Sequence, residues 1–212
     1  DKIEADTGRR PKGKHFKEIK EEATHELLAK AFPKRKIVPL LWLGDYLLIG
    51  STSAADIDAI TSILVSNDAG LVLNGLQTCT APSVAMTTWA REPAGAPFAV
   101  RHNTTVLTGG DGKATFKDTN VLDPQVVAAL GNTGVVTSLA LSDDDRVTFT
   151  LTDEMQIKSL DVIGTGEKGD HADATAAECF LMRAELGLLM EHLVDALGGV
   201  LPAQAEESGD AA

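Results

Sequence analysis

Residues 134–163, GVVTSLALSDDDRVTFTLTDEMQIKSLDVI, constrain the fold more than any other stretch. Three apolar runs alternate with polar residues at a period of two, and the acidic SDDD separates the first two. Alternation of that kind belongs to antiparallel strands with one face on a core, so the stretch predicts a three-stranded meander. A long apolar segment, ATAAECFLMRAELGLLMEHLVDALGG, then reads as a helix from about Ala172 to Leu197, closed by Gly198 and Gly199. Strands and helices do not alternate regularly, and no internal repeat is present. The class is therefore α+β: antiparallel sheets or a meander, flanking helices and a long C-terminal helix.

Upstream, residues 14–32 have helical periodicity. Phe16, Ile19, Ala23, Leu27 and Ala31 fall on one face about 120° wide, a core-facing stripe. Lys14, Lys17 and Lys20 line one flank of it and Glu18, Glu22 and Glu26 the other. Leu28 and Phe32 lie off the stripe. A contact with another subunit, a neighbouring loop or fraying of the helix end would each account for them.

KIVPLLWLGDYLLIGS reads as two strands turning at Gly44 and Asp45. The next helix is capped by Ser53 and buries Ile57, Ile60, Ile63 and Leu64. GLVLNGLQTC reads as a further strand, and SVAMTTWARE as a short helix or turn with Trp89 buried. The text from Arg91 to Thr119 is irregular, with EPAGAP and TGGDGK marking loops and short strands between them. LDPQVVAALG is a short helix with Asp123 as cap, Pro124 in its first turn and Gly131 at its end. These readings divide the chain into a basic helical segment (1–36), a ββαβ unit (37–90), an irregular finger-like region (91–133), the meander with its helix (134–199) and a disordered acidic tail (200–212).

Several function classes find no support. Aromatic residues make up 4% of the chain, so no stacking platform for single-stranded bases is evident. Cys79 and Cys179 sit far apart in apolar contexts, as buried free thiols do, and form no CxxC pair on which a zinc site could start. No run approaches about 18 apolar residues. The chain reads as cytoplasmic, with no membrane partner. GTGEKG at 164–169 satisfies GxGxxG, but no second strand follows to complete a βαβ unit, so it reads as a loop. His25 and Glu26 begin a zinc-protease pattern that fails at Ala29. The SDDD turn lacks the ligand spacing of a calcium loop and reads as a solvated hairpin turn. No catalytic residue, metal ligand or cofactor site emerges, so the expectation is a protein that is not an enzyme.

Charge is distributed unevenly. Residues 9–36 hold 10 basic side chains against 4 acidic ones, a net of +6 in a chain whose formal net charge is −12. Residues 37–212 carry a net of −16. Such segregation points to a polyanionic partner for the basic part. Lysine and arginine on a helix and its flanks contact successive phosphates, and contacts of that kind carry no base information. A solvated amphipathic helix is the plainer alternative.

Several segments, in order, resemble the bacterial recombination-associated RdgC family: IKEEATHELLAKAF, LLWLGDYLLIGSTSAADID, MTTWARE, the 134–163 meander and FLMRAELGLLMEHLVDALGG. The family's N-terminal third has no counterpart here, so the chain reads as a fragment or a processed product. The resemblance implies a homodimer closed into a ring around DNA, binding duplex and single strands without sequence preference, associated with the nucleoid and restraining the RecA recombinase. Arg9, Arg10 and Lys12 match the family's basic stretch before the helix, and Phe32 matches an aromatic at a dimer contact. Lys117 matches a lysine of a basic finger, but the neighbouring position, commonly basic or polar, is Asp118 here, which weakens the case for DNA contact there.

The expected DNA-binding residues are thus Arg9, Arg10, Lys12, Lys14, Lys17, Lys20, Lys34, Arg35, Lys36 and Lys117, with Leu28 and Phe32 at a dimer contact. A module that docks an acidic protein through Leu28, Phe32 and the basic flank, without binding DNA, is the alternative.

Overall fold

The computed structural model describes residues 14–28, 35–108, 112–164 and 172–202. The chain divides into two units, Asp1–Val38 and Pro39–Ala212.

The first unit contains α1 (Lys14–Leu28), made largely of the good helix formers Lys, Glu, Leu and Ala. Lys14 and Glu18 are 3.9 Å apart one turn on, an exposed pair that contributes at most a few tenths of a kcal/mol. The apolar stripe forms but is not covered within the unit: Phe16 is 53% and Leu27 66% exposed. The expectation that this stripe faces a core in its own unit is therefore corrected. No second helix or strand among the unit's described residues lies opposite it, and a segment this short cannot enclose an apolar face alone. The predicted last turn, with Ala31 and Phe32, lies outside the described residues.

The second unit begins with the hairpin β1 (Leu40–Leu43) and β2 (Tyr46–Ile49), paired from Leu40↔Ile49 to Leu43↔Tyr46. Gly44 has φ +56 at the first turn position, where a II′ turn requires glycine, and this explains the order Gly-Asp. Then comes α2 (Ala54–Asn67). Its expected buried face is a second correction, since none of its residues is buried and Ile63 is 61% exposed. Ser53 occupies the cap position without a side-chain cap bond; instead Ser51 Oγ donates to the Asp56 carboxylate at 2.6 Å and accepts from the Ser53 amide.

The strand expected in GLVLNGLQTC has no ladder; only Thr78 forms a bridge, to Val200. The 37–90 segment is thus ββα followed by α3 (Pro82–Arg91), which buries Ala85, Met86, Thr87, Trp89 and Ala90. A short 3-10 turn, Pro93–Gly95, leads into β3 (Ala99–Thr108) and β4 (Gly112–Lys117). The short strands expected among the loops of this region are thus β3 and β4, and both belong to the main sheet. Register shifts between Val100 and Thr104 and between Thr105 and Val106 break the alternation that would have revealed β3.

Next is α4 (Pro124–Leu130), with the Asp123 side chain accepting from the Gln125 amide at 2.9 Å and Gly131 at φ +38 after its last turn. The meander forms as predicted: β5 (Val135–Asp143), β6 (Val147–Thr152) and β7 (Ile157–Val162). The five-stranded sheet runs β4-β3-β5-β6-β7, antiparallel throughout. The last element, α5 (Ala172–Ala196), ends in a Schellman cap, with Gly199 N–H donating to Val194 O and Gly198 N–H to Asp195 O, each at 2.9 Å.

The core lies where α3 and α5 meet this sheet. Phe98 is its aromatic centre, edge-on to Trp89 at 5.8 Å and to Phe149 at 5.6 Å. Leu186, Leu189 and Leu193 bring one side of α5 into the same cluster, joined by Leu197 just past its end. Both cysteines are free, as expected, but exposed rather than buried. Cys179 lies beside Phe180, which is itself 74% exposed, on a part of α5 that the core does not cover.

Candidate nucleic-acid interface

On α1, residues three apart recur 300° round the axis and about 4.5 Å along it, so Lys14, Lys17 and Lys20 form one ascending flank. All three side chains are exposed, and the pairing of Lys14 with Glu18 leaves its side chain 93% accessible. Arg35 and Lys36 are also exposed, in a segment without regular structure at the end of the same unit. The helix thus brings three expected contacts together. Arg9, Arg10, Lys12, Lys34 and Phe32 lie outside the described residues, as does the side chain of Leu28.

Lys117 belongs to the other unit, at the end of β4. There Lys113, Thr115 and Lys117 alternate outward while Ala114 and Phe116 are half-buried. Lys117 pairs with Asn103 across the strands, and Asn103 Oδ1 accepts from the Asp118 amide at 3.1 Å. Asp118 adopts φ +51, which a short polar side chain tolerates, so it turns the chain out of β4 and sets its carboxylate next to the lysine in sequence.

Sequence reasoning missed a polar cluster around the turn between β5 and β6. The SDDD turn is only half solvated. Asp144 and Asp145 carry the positive φ angles of a I′ turn and are exposed, but Ser142 and Asp143 are buried. The Asp143 carboxylate lies 2.9 Å from His192 Nδ1 on α5, and the His192 ring stacks at 4.5 Å on Phe98. Arg146 reaches Glu185 at 3.5 Å. Asp143, Asp144, Arg146, Glu191, His192 and Asp195 border an open groove of about 320 Å³. Asp143 and His192 are 49 residues apart, so neither local pattern nor spacing could have linked them.

Among the described residues no group of three or more His, Cys, Asp or Glu side chains is placed to hold a metal ion. The GTGEKG segment is described only at Gly164, with φ +88; the rest lies outside the described residues. No helix among the described residues is long and apolar enough to cross a membrane.

Comparison with known proteins places this architecture. A family model described as "Putative exonuclease, RdgC" matches residues 1–200. The chain belongs to the RdgC family. The recombination-associated protein RdgC of Bordetella pertussis is 33% identical over 211 residues, which cover 93% of this chain and 70% of the relative. Its counterparts from Herminiimonas arsenicoxydans and Tolumonas auensis are 32% and 31% identical, over 69% and 70% of their lengths. RdgC relatives thus carry a name that associates them with recombination, while the family model's description names an exonuclease. The match runs through α1, both sheets and α5.

Proposed function

We propose that this chain acts in recombination as a non-catalytic DNA-binding protein. It takes duplex and single-stranded DNA without sequence preference on its basic segment, as half of a homodimer that closes around the DNA and restrains the RecA recombinase. Leu28 and Phe32 stand at one subunit contact. In this reading the protein is cytoplasmic, associated with the nucleoid, and needs no cofactor.

The observation that carries the reading is the exposed flank of Lys14, Lys17 and Lys20 on α1, within a segment of net +6 attached to a remainder of net −16. A phosphate backbone is the polyanion that a regularly spaced lysine row fits, and affinity then comes from counterion release. The acidic remainder repels the same backbone, which confines contact to the basic side. The relatives' association with recombination supplies the setting.

A titration with duplex DNA at several salt concentrations tests this. The affinity should fall steeply as salt rises, and reversal of Lys14, Lys17 and Lys20 to Glu, which brings residues 9–36 to neutrality, should nearly abolish it. An affinity indifferent to salt and to the reversal would sink the proposal.

The exposed Phe16 and Leu27 favour a second reading, a module that docks an acidic protein. Sedimentation separates the two: that module would bind no DNA and would form a complex with the acidic protein through Leu28, Phe32 and the basic flank.

A further inference from the structure

The lysine flank of α1 is not purely basic. Successive residues of a helix turn by about 100°, so Lys14, Lys17 and Lys20 span an arc of about 120°. Glu21 falls inside that arc, about 40° from Lys17 and one turn beyond it, whereas Glu18, Glu22 and Glu26 fall outside it on the opposite flank. The Glu21 side chain is exposed, as are those of the three lysines. Thr24 shares the arc, but its hydroxyl donates to the Lys20 carbonyl at 2.6 Å and is turned back onto the helix. A phosphate backbone laid along this flank therefore meets three ammonium groups and one carboxylate, a net of +2 rather than +3.

Position decides how much that carboxylate matters. A helix with its side chains is about 10–12 Å across, and the Debye length at 0.1 M salt is about 10 Å. A charge on the far flank is thus screened from a polyanion on the near side by about one Debye length, while Glu21 stands among the groups that touch it. Unit charges a few ångströms apart change an equilibrium several-fold even in water. The spacing of Lys17 and Glu21, four residues apart on one face, also lets the carboxylate compete with a phosphate for the Lys17 ammonium.

We infer that Glu21 is an affinity-limiting residue of the DNA-binding face. Its carboxylate repels the phosphate backbone and draws on the Lys17 ammonium, so that DNA is released and rebound rather than held. The inference rests on the DNA-binding reading proposed above and adds to it a means of regulation, an acid placed within the lysine row. Contacts that ignore sequence let a protein slide and hop along DNA, and a weakened row shortens each stay. Glu22, next in sequence but across the helix, has no such role.

The test compares Glu21→Gln with Glu22→Gln in the full chain, by anisotropy with a labelled DNA duplex. Each variant removes one negative charge and exchanges residues of like helix propensity, so net charge and helix content stay matched, which circular dichroism checks. At about 50 mM salt Glu21→Gln should bind at least about threefold more tightly than Glu22→Gln, with slower dissociation, and the margin should shrink as salt rises to about 200 mM. Glu21→Asp keeps the charge and should bind like the wild-type chain. Equal affinities of the two Gln variants, a margin indifferent to salt, or a Glu21→Asp chain that binds as tightly as Glu21→Gln would overturn the inference while leaving the lysine row in place. A wild-type chain that binds no duplex at any of these salt concentrations would overturn the DNA-binding reading and the inference with it.

Discussion

Asp143 is the residue whose surroundings most exceed what its sequence context announces. Its side chain is 7% exposed, and His192, itself 42% exposed, lies 2.9 Å away. A carboxylate in that position has given up most of its water, so the imidazole N–H must replace it. His192→Ala removes both that donor and the ring stacked on Phe98, and should lower stability by about 1–3 kcal/mol. Asp143→Asn keeps a hydrogen-bonding group of the same size and should cost less than about 1 kcal/mol. Urea unfolding followed by tryptophan fluorescence measures both, and equal losses would show that the pair matters only for packing. A similar local argument applies to Gly134, where an added Cβ would sit 2.4 Å from Leu130 O and 2.5 Å from Ala129 O. Those atoms are backbone at the end of α4 and cannot swing aside. Gly134→Ala should therefore destabilise by about 1–3 kcal/mol, the usual cost of overpacking, seen as a lower urea midpoint with an unchanged slope.

Among the elements, α5 shows most clearly how a helix divides between core and surface. Leu193 is fully buried and Leu188 is 49% exposed, five residues apart on one helix. Leu193→Ala should cost about 2–5 kcal/mol and Leu188→Ala well under 1 kcal/mol, a contrast that thermal melts resolve. The meander, α3, α4 and the Schellman end of α5 were legible because each rests on local chemistry: alternation, a proline in the first turn, the Asp123 cap and the paired glycines. Elements that depend on distant partners were less legible. β3 is crowded with threonines and broken by bulges, and it pairs because β5 is beside it, 28 to 43 residues away. Among the described residues the 71–76 segment has a strand's pattern but pairs with no strand, and α2 has a helix's apolar face that is at most half-buried. Of the candidate interface, the lysine flank followed directly from helical spacing, whereas the Asp143–His192 pair exists only through tertiary packing.

At the scale of the whole chain the governing fact is charge segregation, and it leads to a quantitative expectation. Each lysine–phosphate contact with duplex DNA releases condensed counterions and adds about 0.9 to the slope of log affinity against log salt. If Lys14, Lys17 and Lys20 each meet a phosphate, replacing all three with Ala should lower that slope by about 2.7, and single replacements by about 0.9 each. Lys158 is exposed on β7 within the acidic remainder, and Lys158→Ala should leave the slope unchanged. Lys117 is the informative intermediate case. It is exposed on β4 but followed by Asp118, whose charge offsets its own over distances beyond a few ångströms. Lys117→Ala should therefore change the slope by less than any α1 lysine, and Asp118→Asn should raise the affinity at low salt while leaving the sequence tolerance intact. Phosphate contacts carry no base information, so duplexes of equal length and different sequence should give one common slope. Filter binding or fluorescence anisotropy across about 50–200 mM salt measures these slopes. A sequence-dependent slope, or an α1 triple variant with the slope of the wild type, would remove the lysine flank from the DNA side of the molecule.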